Sequence, residues 1–312
     1  MESFTYAGKI LNEVKKQVVG KDRVLSLILA ALLADGHVLI DDIPGVGKTT
    51  MAVAFEKAMG LKGRRMQFTP DVLPSDILGF NVYDQSSGTF VYREGAVFCN
   101  MFLADEINRT SPKTQSALLE AMEERQVSVD GVTRPLDAPF FVLATENPVG
   151  STGTQKLPES ETDRFMICVS MGYPTVAEER EILKRKNEKR EEVQEVADRD
   201  IILKMQAEVN EIFVHDAIYD YLARLVAQTR SNTYIELGGS PRATLALMRM
   251  SMAAAYLKGR DYVLPEDVQD VFLPVMKHRI VKGRRARVDK VSEEEILTTI
   301  LQKEHRPAQK KA

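Results

Sequence analysis

A glycine-rich segment at residues 42–49 carries the residue types that bind phosphate groups. It reads Asp-Ile-Pro-Gly-Val-Gly-Lys-Thr and lies between an apolar run that predicts a strand (His37 to Asp41) and a helical stretch (Lys48 to Met59). Glycines let the backbone N–H groups point at phosphate oxygens, and the start of the next helix adds partial positive charge. The lysine can reach the β and γ phosphates, and the threonine hydroxyl can ligate Mg²⁺. The segment therefore predicts a nucleoside triphosphate site.

The first position of this segment departs from the usual phosphate-loop pattern. Asp42 stands where a glycine is usual, but the residues that contact phosphate or metal most directly are intact. We therefore expect nucleotide contacts along the segment and Mg²⁺ at its threonine. The expected contact residues are Pro44, Gly45, Val46, Gly47, Lys48, Thr49 and Thr50.

Two adjacent carboxylates, Asp105 and Glu106, follow the apolar run Met101 to Ala104. Asp105 is predicted to hold the hydrated Mg²⁺, and Glu106 is predicted to orient and deprotonate the attacking water. Both roles require these side chains at the carboxyl edge of a sheet, beside the phosphate loop. Alone, the pair would fit an ordinary loop after a strand equally well, and the phosphate loop upstream favours the catalytic interpretation.

The apolar pattern predicts the elements that position these groups. Short runs without alternation are typical of strands buried on both faces, and strands that alternate with helices predict a parallel sheet covered by helices on both sides. The predicted strands are His37 to Asp41, Met66 to Phe68, Met101 to Ala104, Phe140 to Thr145 and Phe165 to Ser170, with helices at Lys48 to Met59 and Pro112 to Glu124.

Two further pairs of strand-like runs predict hairpins inserted in this α/β pattern. Residues 79–83 and 89–93 flank a loop that contains Gly88, and residues 126–129 and 132–134 flank Asp130-Gly131, a strong two-residue turn signal. Beyond Gly172 the pattern is helical. We predict an α/β nucleotide-binding domain at residues 1–172 and a smaller all-helical domain at 173–312. The helices expected there are Thr175 to Arg190, Ile201 to Asn210, Asp216 to Thr229, Pro241 to Lys258, Pro265 to Val275 and Ser292 to Gln302.

Composition excludes several classes of protein. With 312 residues, 44% hydrophobic residues and a net charge of -3, the chain is typical of a globular protein and has no global charge that attracts nucleic acid or anionic membrane. The longest mainly apolar tract, Val24 to Ala34, is too short to span a bilayer, and residues 1–5 do not show the basic start and apolar stretch of a secretion signal. We expect no membrane insertion, a cytoplasmic location, and buried core thiols at Cys99 and Cys168.

A longer stretch carries a family resemblance. The acidic pair continues as Asp-Glu-Ile-Asn-Arg (105–109), followed by Pro-Lys-Thr-Gln-Ser-Ala-Leu-Leu-Glu-Ala-Met-Glu-Glu-Arg-Gln-Val (112–127). With these residues the chain closely resembles the MoxR family of AAA+ ATPases. The resemblance implies a P-loop NTPase sheet domain with helices on both faces and a helical lid domain. It also implies ATP and Mg²⁺ as cofactors, a homo-oligomeric ring that we expect to be a hexamer, and chaperone-like activation of a partner protein, often one with a von Willebrand factor A domain.

The same resemblance implies roles for residues outside the two motifs. Gly20, in Val-Gly-Lys (19–21), matches the turn on the adenine side, and Asn147 matches the sensor 1 residue that holds the attacking water or the γ phosphate. Arg164 matches the arginine finger that reaches the nucleotide of a neighbouring subunit, and its alternative is an ordinary ion pair with Asp163 or Glu161. Arg242 matches sensor 2, either within its own subunit or across an interface. The two hairpins match the insert in the second helix and the hairpin before sensor 1.

Two other functions remain open on the sequence. A nucleic-acid-translocating motor would explain the hairpins and the basic tract Lys277 to Lys290, which is otherwise an ordinary solvated surface. The hairpin tip at 129–132 offers phosphates no lysine or arginine, however, so nucleic acid is the less favoured partner. A slowly hydrolysing nucleotide-gated ring would not need a base such as Glu106. Arg109 fits a local salt bridge and an interface contact equally well.

Overall fold

The computed structural model describes residues 3–43, 45–147, 157–187 and 191–307. The predicted strands and helices occur, with ends shifted by a few residues; the predicted helix at Pro112 to Glu124 has the observed bounds because Ser111 caps its start and Arg125, in the left-handed region, ends it. Up to the last strand of the main sheet the elements are α1 (Thr5–Lys15), α2 (Asp22–Leu33), β1 (Val38–Asp41), α3 (Lys48–Ala58), β2 (Gly63–Gln67), α4 (Pro74–Leu78), β3 (Gly79–Asp84), β4 (Thr89–Glu94), β5 (Met101–Asp105), α5 (Pro112–Glu124), β6 (Gln126–Val129), β7 (Val132–Pro135), β8 (Phe141–Glu146), α6 (Glu159–Thr162) and β9 (Ile167–Val169).

The main sheet has five parallel strands in the order β2-β5-β8-β1-β9. Both of its faces are buried: Val38 and Ile40 pack into one hydrophobic cluster, and Leu39 packs into the other. This explains why β1, β5, β8 and β9 are mainly apolar without alternation, whereas β2, at the edge of the sheet, carries polar residues and is half-exposed. After β1 the chain passes through α3 to β2, which is the outermost strand on one side, and β8 pairs with β1 instead. The strand order therefore changes direction at β1. In such sheets ligands bind in the crevice at the carboxyl ends of the strands, here called the carboxyl edge.

The two predicted hairpins are confirmed as antiparallel pairs, β3 with β4 and β6 with β7. They are joined side by side. The Asn81 side-chain amide donates to Asp130 Oδ2 at 2.6 Å, and the Arg134 guanidinium lies 3.7 Å from the centre of the Tyr92 ring. The hairpins therefore form one unit on the α4 and α5 side of the sheet.

The remaining chain, predicted to be all-helical, is mainly helical but also contains a short antiparallel strand pair. Its strands hold three and two residues, too few for an alternating pattern, and they pair Ile235 with Lys282 from far apart in the sequence. Residues 188–190 of the predicted helix that begins at Thr175 lie outside the described residues, and the boundary at Gly172 stays a prediction. None of the described helices is long and apolar enough to cross a membrane.

The elements that follow β9 are α7 (Val176–Asn187), α8 (Arg199–Asn210), α9 (Asp216–Ser231), β10 (Ile235–Leu237), α10 (Pro241–Leu257), α11 (Pro265–Met276), β11 (Val281–Lys282), α12 (Arg284–Val288) and α13 (Glu293–Lys303).

A buried carboxylate links α10 to α11. Asp267 is fully buried and accepts hydrogen bonds from the Arg260 guanidinium at 2.7 and 2.5 Å, from Lys258 Nζ at 3.0 Å and from the Leu264 N–H at 2.8 Å. Burial alone would raise the pKa of Asp267, but these hydrogen bonds outweigh burial and lower it. The carboxylate is therefore charged and paired at neutral pH.

We expect Asp267→Asn to lower the free energy of unfolding by about 2 kcal/mol at pH 7, because it removes the buried charge that accepts hydrogen bonds from Arg260 and Lys258. The control is Asp270→Asn, which removes a half-exposed partner of Lys258 and should cost less than about 1 kcal/mol. Since the pKa of Asp267 is lowered, its stabilisation is present above the unfolded pKa of about 4 and is lost as the pH falls through the folded pKa. Urea unfolding at several pH values should show the two chains converging in acid, and a difference that is independent of pH would contradict this account.

Candidate active site

The phosphate loop turns from β1 into α3 through two glycines in the left-handed region. Gly45 has φ 87° and Gly47 has φ 92°, values that side chains disfavour, and Gly47 caps α3. The first turn of α3 contains no acidic residue. Its free N–H groups and the helix dipole therefore face the carboxyl-edge crevice and suit an anion. Pro44 lies outside the described residues.

Lys48 is the cation of this loop. Its side chain is buried, and its Nζ donates to the Asp42 backbone carbonyl at 2.8 Å. Burial lowers the pKa of Lys48, while the carboxylates of Asp42, Asp105, Glu106 and Asp41 oppose that shift. Four carboxylates thus act on one ammonium group, and two of them, Asp105 and Glu106, also pair with Arg65 and Arg109.

Asp105 lies at the carboxyl end of β5, where the fold brings three polar groups to its carboxylate. Thr49 Oγ1 is 3.5 Å from Oδ2, the Thr145 hydroxyl donates to Oδ1 at 3.2 Å, and Arg65 Nε donates to Oδ2 at 2.7 Å. Among the described residues no group of three His, Cys, Asp or Glu side chains could hold a metal ion. One hydroxyl and one carboxylate fit Mg²⁺, which binds through one or two protein oxygens together with phosphates and waters.

Glu106 occupies a backbone conformation that is rare for a residue with a side chain, with φ 58°. Such conformations cost about 1–3 kcal/mol and concentrate at functional sites. Its N–H donates to Thr145 Oγ1 at 2.9 Å, and its carboxylate accepts from Arg109 at 2.7 Å and from the Asn147 side chain. Burial raises the pKa of Glu106, but these donors together with the charge of Lys48 outweigh it and lower the pKa. Glu106 is therefore a charged carboxylate, as a base must be.

Asn147 follows β8 and lies beside this carboxylate. Its backbone is held by a second amide: Asn108 Nδ2 donates to the Asn147 carbonyl at 3.0 Å, and Asn108 Oδ1 accepts from its N–H at 3.4 Å. Within the described residues, no hydrogen-bond donor reaches the buried Oδ1 atom of Asn147. A buried acceptor without a partner is costly, so this oxygen is suited to a donor such as a bound water.

The unusual Asp42 joins the phosphate loop to the end of the sheet domain. Its Oδ2 accepts from the Ser170 hydroxyl at 3.2 Å and from the N–H groups of Met171 and Gly172. The carboxylate thus satisfies donors in the segment that leads to α7, a task that glycine could not perform. Gly20 packs closely against α7, because a side chain at this position would collide with Glu178.

Arg164 and Arg242 meet near the amino ends of the sheet strands, opposite the phosphate loop. Arg164 Nη1 lies 3.3 Å from Glu123 Oε2, and Arg242 Nη2 contacts the other oxygen of the same carboxylate. The end of α5 lies near the start of β1, since Arg125 Nη2 donates to the Asp35 carbonyl at 2.8 Å. Arg164 precedes β9, which runs parallel to β1. The length of β1, about 13 Å for four residues, separates this edge from the phosphate loop of the same chain.

Comparison with known proteins decides the family. Residues 37–167 match the family described as "ATPase family associated with various cellular activities (AAA)", and residues 227–300 match "AAA lid domain". Chaperone MoxR1 of Mycobacterium tuberculosis (strain ATCC 25618 / H37Rv) is 40% identical over 93% of this chain and 79% of its own. The chain belongs to the MoxR family of AAA+ ATPases.

Other similarities of this MoxR-family chain extend over nearly its whole length. Uncharacterized protein YeaC of Bacillus subtilis (strain 168) is 44% identical over 98% of this chain and 96% of its own. A crystal structure from Cytophaga hutchinsonii (ATCC 33406) has a TM-score of 0.90 and 38% identity, and covers 98% of this chain and 97% of that one. The predicted fold class, a parallel sheet domain followed by a helical lid domain, is confirmed.

The fold brings some predicted residues of this MoxR-family site together and separates others. Around the carboxyl edge it places the phosphate loop, both acidic residues and Asn147, and it places Arg164 and Arg242 at the amino edge. The sequence offered Asp163 and Glu161 as ion-pair partners of Arg164, but its side chain pairs with Glu123. Arg109 forms the local salt bridge. Sequence reasoning missed four residues that contact predicted site residues: Arg65, Asn108, Glu123 and Thr145.

Proposed function

We propose that this MoxR-family protein hydrolyses ATP at composite sites formed between two copies of the chain and uses the cycle to remodel a partner protein. The division of the machinery between the two sheet edges carries the proposal. Lys48, Asp105 and Glu106 lie at the carboxyl ends of the strands, whereas Arg164 and Arg242 contact Glu123 near the amino ends. A single subunit therefore holds an incomplete site, and a neighbour in a ring, expected to be a hexamer, completes it.

At the carboxyl edge, Lys48 and the phosphate-loop N–H groups bind the β and γ phosphates. Thr49 and Asp105 would hold Mg²⁺, which supplies charge neutralisation on the phosphate oxygens. The Glu106 carboxylate takes the proton of the attacking water, and Asn147, hydrogen-bonded to Glu106, holds that water in line with the γ phosphate. The nucleotide base lies toward Gly20, where the loop after α1 approaches α7.

Arg164 and Arg242 complete the neighbour's site. An arginine is charged at all relevant pH values, and its planar fork matches phosphate oxygens. Both side chains share one carboxylate, so a position that brings Arg164 to a neighbour's γ phosphate brings Arg242 to the same place. We therefore assign sensor 2 to the neighbouring subunit rather than to its own.

The paired hairpins are the proposed contact with the partner protein. Phe90 and Tyr83 are 71% and 54% exposed, and their rings pack edge to face at the hairpin surface. Exposed aromatic side chains are typical of protein-binding surfaces. The name Chaperone MoxR1 of a relative agrees with a protein partner. We further propose that the partner protein contains a von Willebrand factor A domain. The protein acts in the cytoplasm, where ATP is abundant.

The basic tract at 277–290 favours a protein partner over nucleic acid. Five of its seven basic side chains already pair with carboxylates of this chain, and they are Lys277, Arg279, Lys282, Arg285 and Arg287. Phosphate-backbone affinity requires free cations, so this surface offers little of it.

Assembly tests the composite site. ATP should produce larger particles than the nucleotide-free protein forms, because the nucleotide bridges one subunit's phosphate loop and the next subunit's arginines. Sedimentation velocity with and without ATP measures this, and Lys48→Ala, which should not bind ATP, is the control. A monomer at every protein concentration that hydrolyses ATP at full rate would overturn the proposal.

A further inference from the structure

One carboxylate, that of Glu123, receives guanidinium groups from two different domains. It lies in the last turn of α5, with Arg164 from the loop before β9 on Oε2 and Arg242 from the first turn of α10 on Oε1. Each arginine takes a separate oxygen. The arrangement is therefore a bridge in which one negative charge lies between two positive ones.

The bridge is needed because two guanidinium groups on one carboxylate repel each other. An arginine keeps its charge, so only a negative partner relieves this repulsion. Glu161 is less suited to balance them. Burial raises the pKa of Glu161, although the Ser116 hydroxyl and Arg164 oppose the shift, and none of the described residues donates a hydrogen bond to its buried Oε2 atom.

The main chain on both sides of the bridge is fixed by a second carboxylate. Asp163, next to Arg164, accepts from Ser240 Oγ at 2.8 Å and from Arg279 Nε at 2.8 Å. Ser240 caps α10 and stands two residues before Arg242, and Arg279 is almost fully buried. These contacts hold the backbone segments that carry the two arginines in fixed relative positions. Only the long arginine side chains can then change direction.

Arg164 keeps donors for a ligand while it is held in the bridge. Its Nη1 is the atom nearest Glu123, and 30% of its side-chain surface is exposed. A guanidinium has five N–H donors in a rigid fork. It can therefore remain on the carboxylate and still offer hydrogen bonds to a phosphate oxygen.

We propose that Glu123 is a positioning residue that holds the finger arginine and the sensor 2 arginine as one unit, aimed at the nucleotide of the neighbouring subunit. The inference rests on the proposed function, since both arginines act there in the neighbour's site. Glu123 itself does not touch the nucleotide. Without its charge, the two side chains separate by mutual repulsion, and each must be ordered anew in the transition state.

The test compares Glu123→Gln with Glu124→Gln, its exposed neighbour on the same helix end. For Glu123→Gln we expect kcat to fall roughly ten-fold and KM for ATP to change by less than about two-fold, because the phosphate loop of the same subunit is untouched. Glu124→Gln should retain the unaltered rate. Thermal unfolding of both variants shows whether either change acts through the fold.

A double-mutant cycle separates positioning from a general structural effect. In the Arg242→Ala background a single guanidinium remains, so Glu123→Gln should cost less than about three-fold there instead of ten-fold. Equal costs in both backgrounds, or an unchanged or raised rate in Glu123→Gln alone, would overturn the positioning role. Absence of hydrolysis by the unaltered protein would overturn the proposed function and this inference together, whereas normal hydrolysis by Glu123→Gln would overturn this inference alone.

Discussion

Replacing Arg164 with alanine should lower the rate of ATP hydrolysis by about 10³ to 10⁵, with little change in ATP affinity. The reason is that the guanidinium balances charge that appears on the γ phosphate only in the transition state. Arg164→Lys should remain impaired, because an ammonium lacks the planar fork. Steady-state hydrolysis and equilibrium binding of a fluorescent ATP analogue measure the two effects separately, with exposed Arg180→Ala as the control.

Mixing two inactive variants tests whether Arg164 acts across an interface. Arg164→Ala retains an intact phosphate loop, and Lys48→Ala retains an intact finger at the opposite edge of its sheet. Mixed assemblies contain interfaces at which one subunit supplies the loop and the other the finger, and these should hydrolyse ATP. If no mixing ratio recovers activity once subunit exchange is established, and if addition of a partner protein does not restore it, the finger does not act in the way proposed here.

Two variants at the carboxyl edge should separate ATP binding from ATP hydrolysis. Lys48→Ala should abolish ATP binding, because the loop loses its cation for the β and γ phosphates. Glu106→Gln should bind ATP normally and lower turnover by about 10²–10⁴, because an amide of the same shape cannot accept the proton of the water. Glu120→Gln, on the exposed side of α5, is the control. Equal loss of binding in Lys48→Ala and Glu106→Gln would show that the two roles are not separate.

The acidity of Glu106 adds a pH dependence to this prediction. Because its neighbours lower its pKa below the ordinary value of 4.5, the base is already charged at all pH values above that. Hydrolysis should therefore show no acid limb from Glu106 between about pH 5.5 and 8. The same variant offers a route to the partner: Glu106→Gln with ATP bound should hold the partner protein in a pull-down, and Lys48→Ala should not.

Local sequence determined the chemistry at the carboxyl edge. The phosphate loop is a contiguous pattern in which glycine spacing and the neighbouring strand and helix fix the function, and the acidic pair follows directly from an apolar run. The buried strands β1, β5, β8 and β9 were recognisable because burial on both faces requires mainly apolar residues, whereas only the end of the half-exposed β2 was predicted. Helix α5 was located to the residue because its start and end depend on adjacent residues, Ser111 and Arg125.

The tertiary structure decided which distant residues meet. The pairings of Arg65 with Asp105 and of Asn108 with Asn147, and the use of Asp42 to hold residues 170–172, join segments tens of residues apart. Hydrophobic periodicity specifies which face of an element is buried, but it does not specify which element lies against that face. The sequence could therefore name Arg164 and Arg242 without choosing their site. Only the packing of the lid domain beside the end of α5 brings both arginines to Glu123, on the sheet edge opposite the phosphate loop.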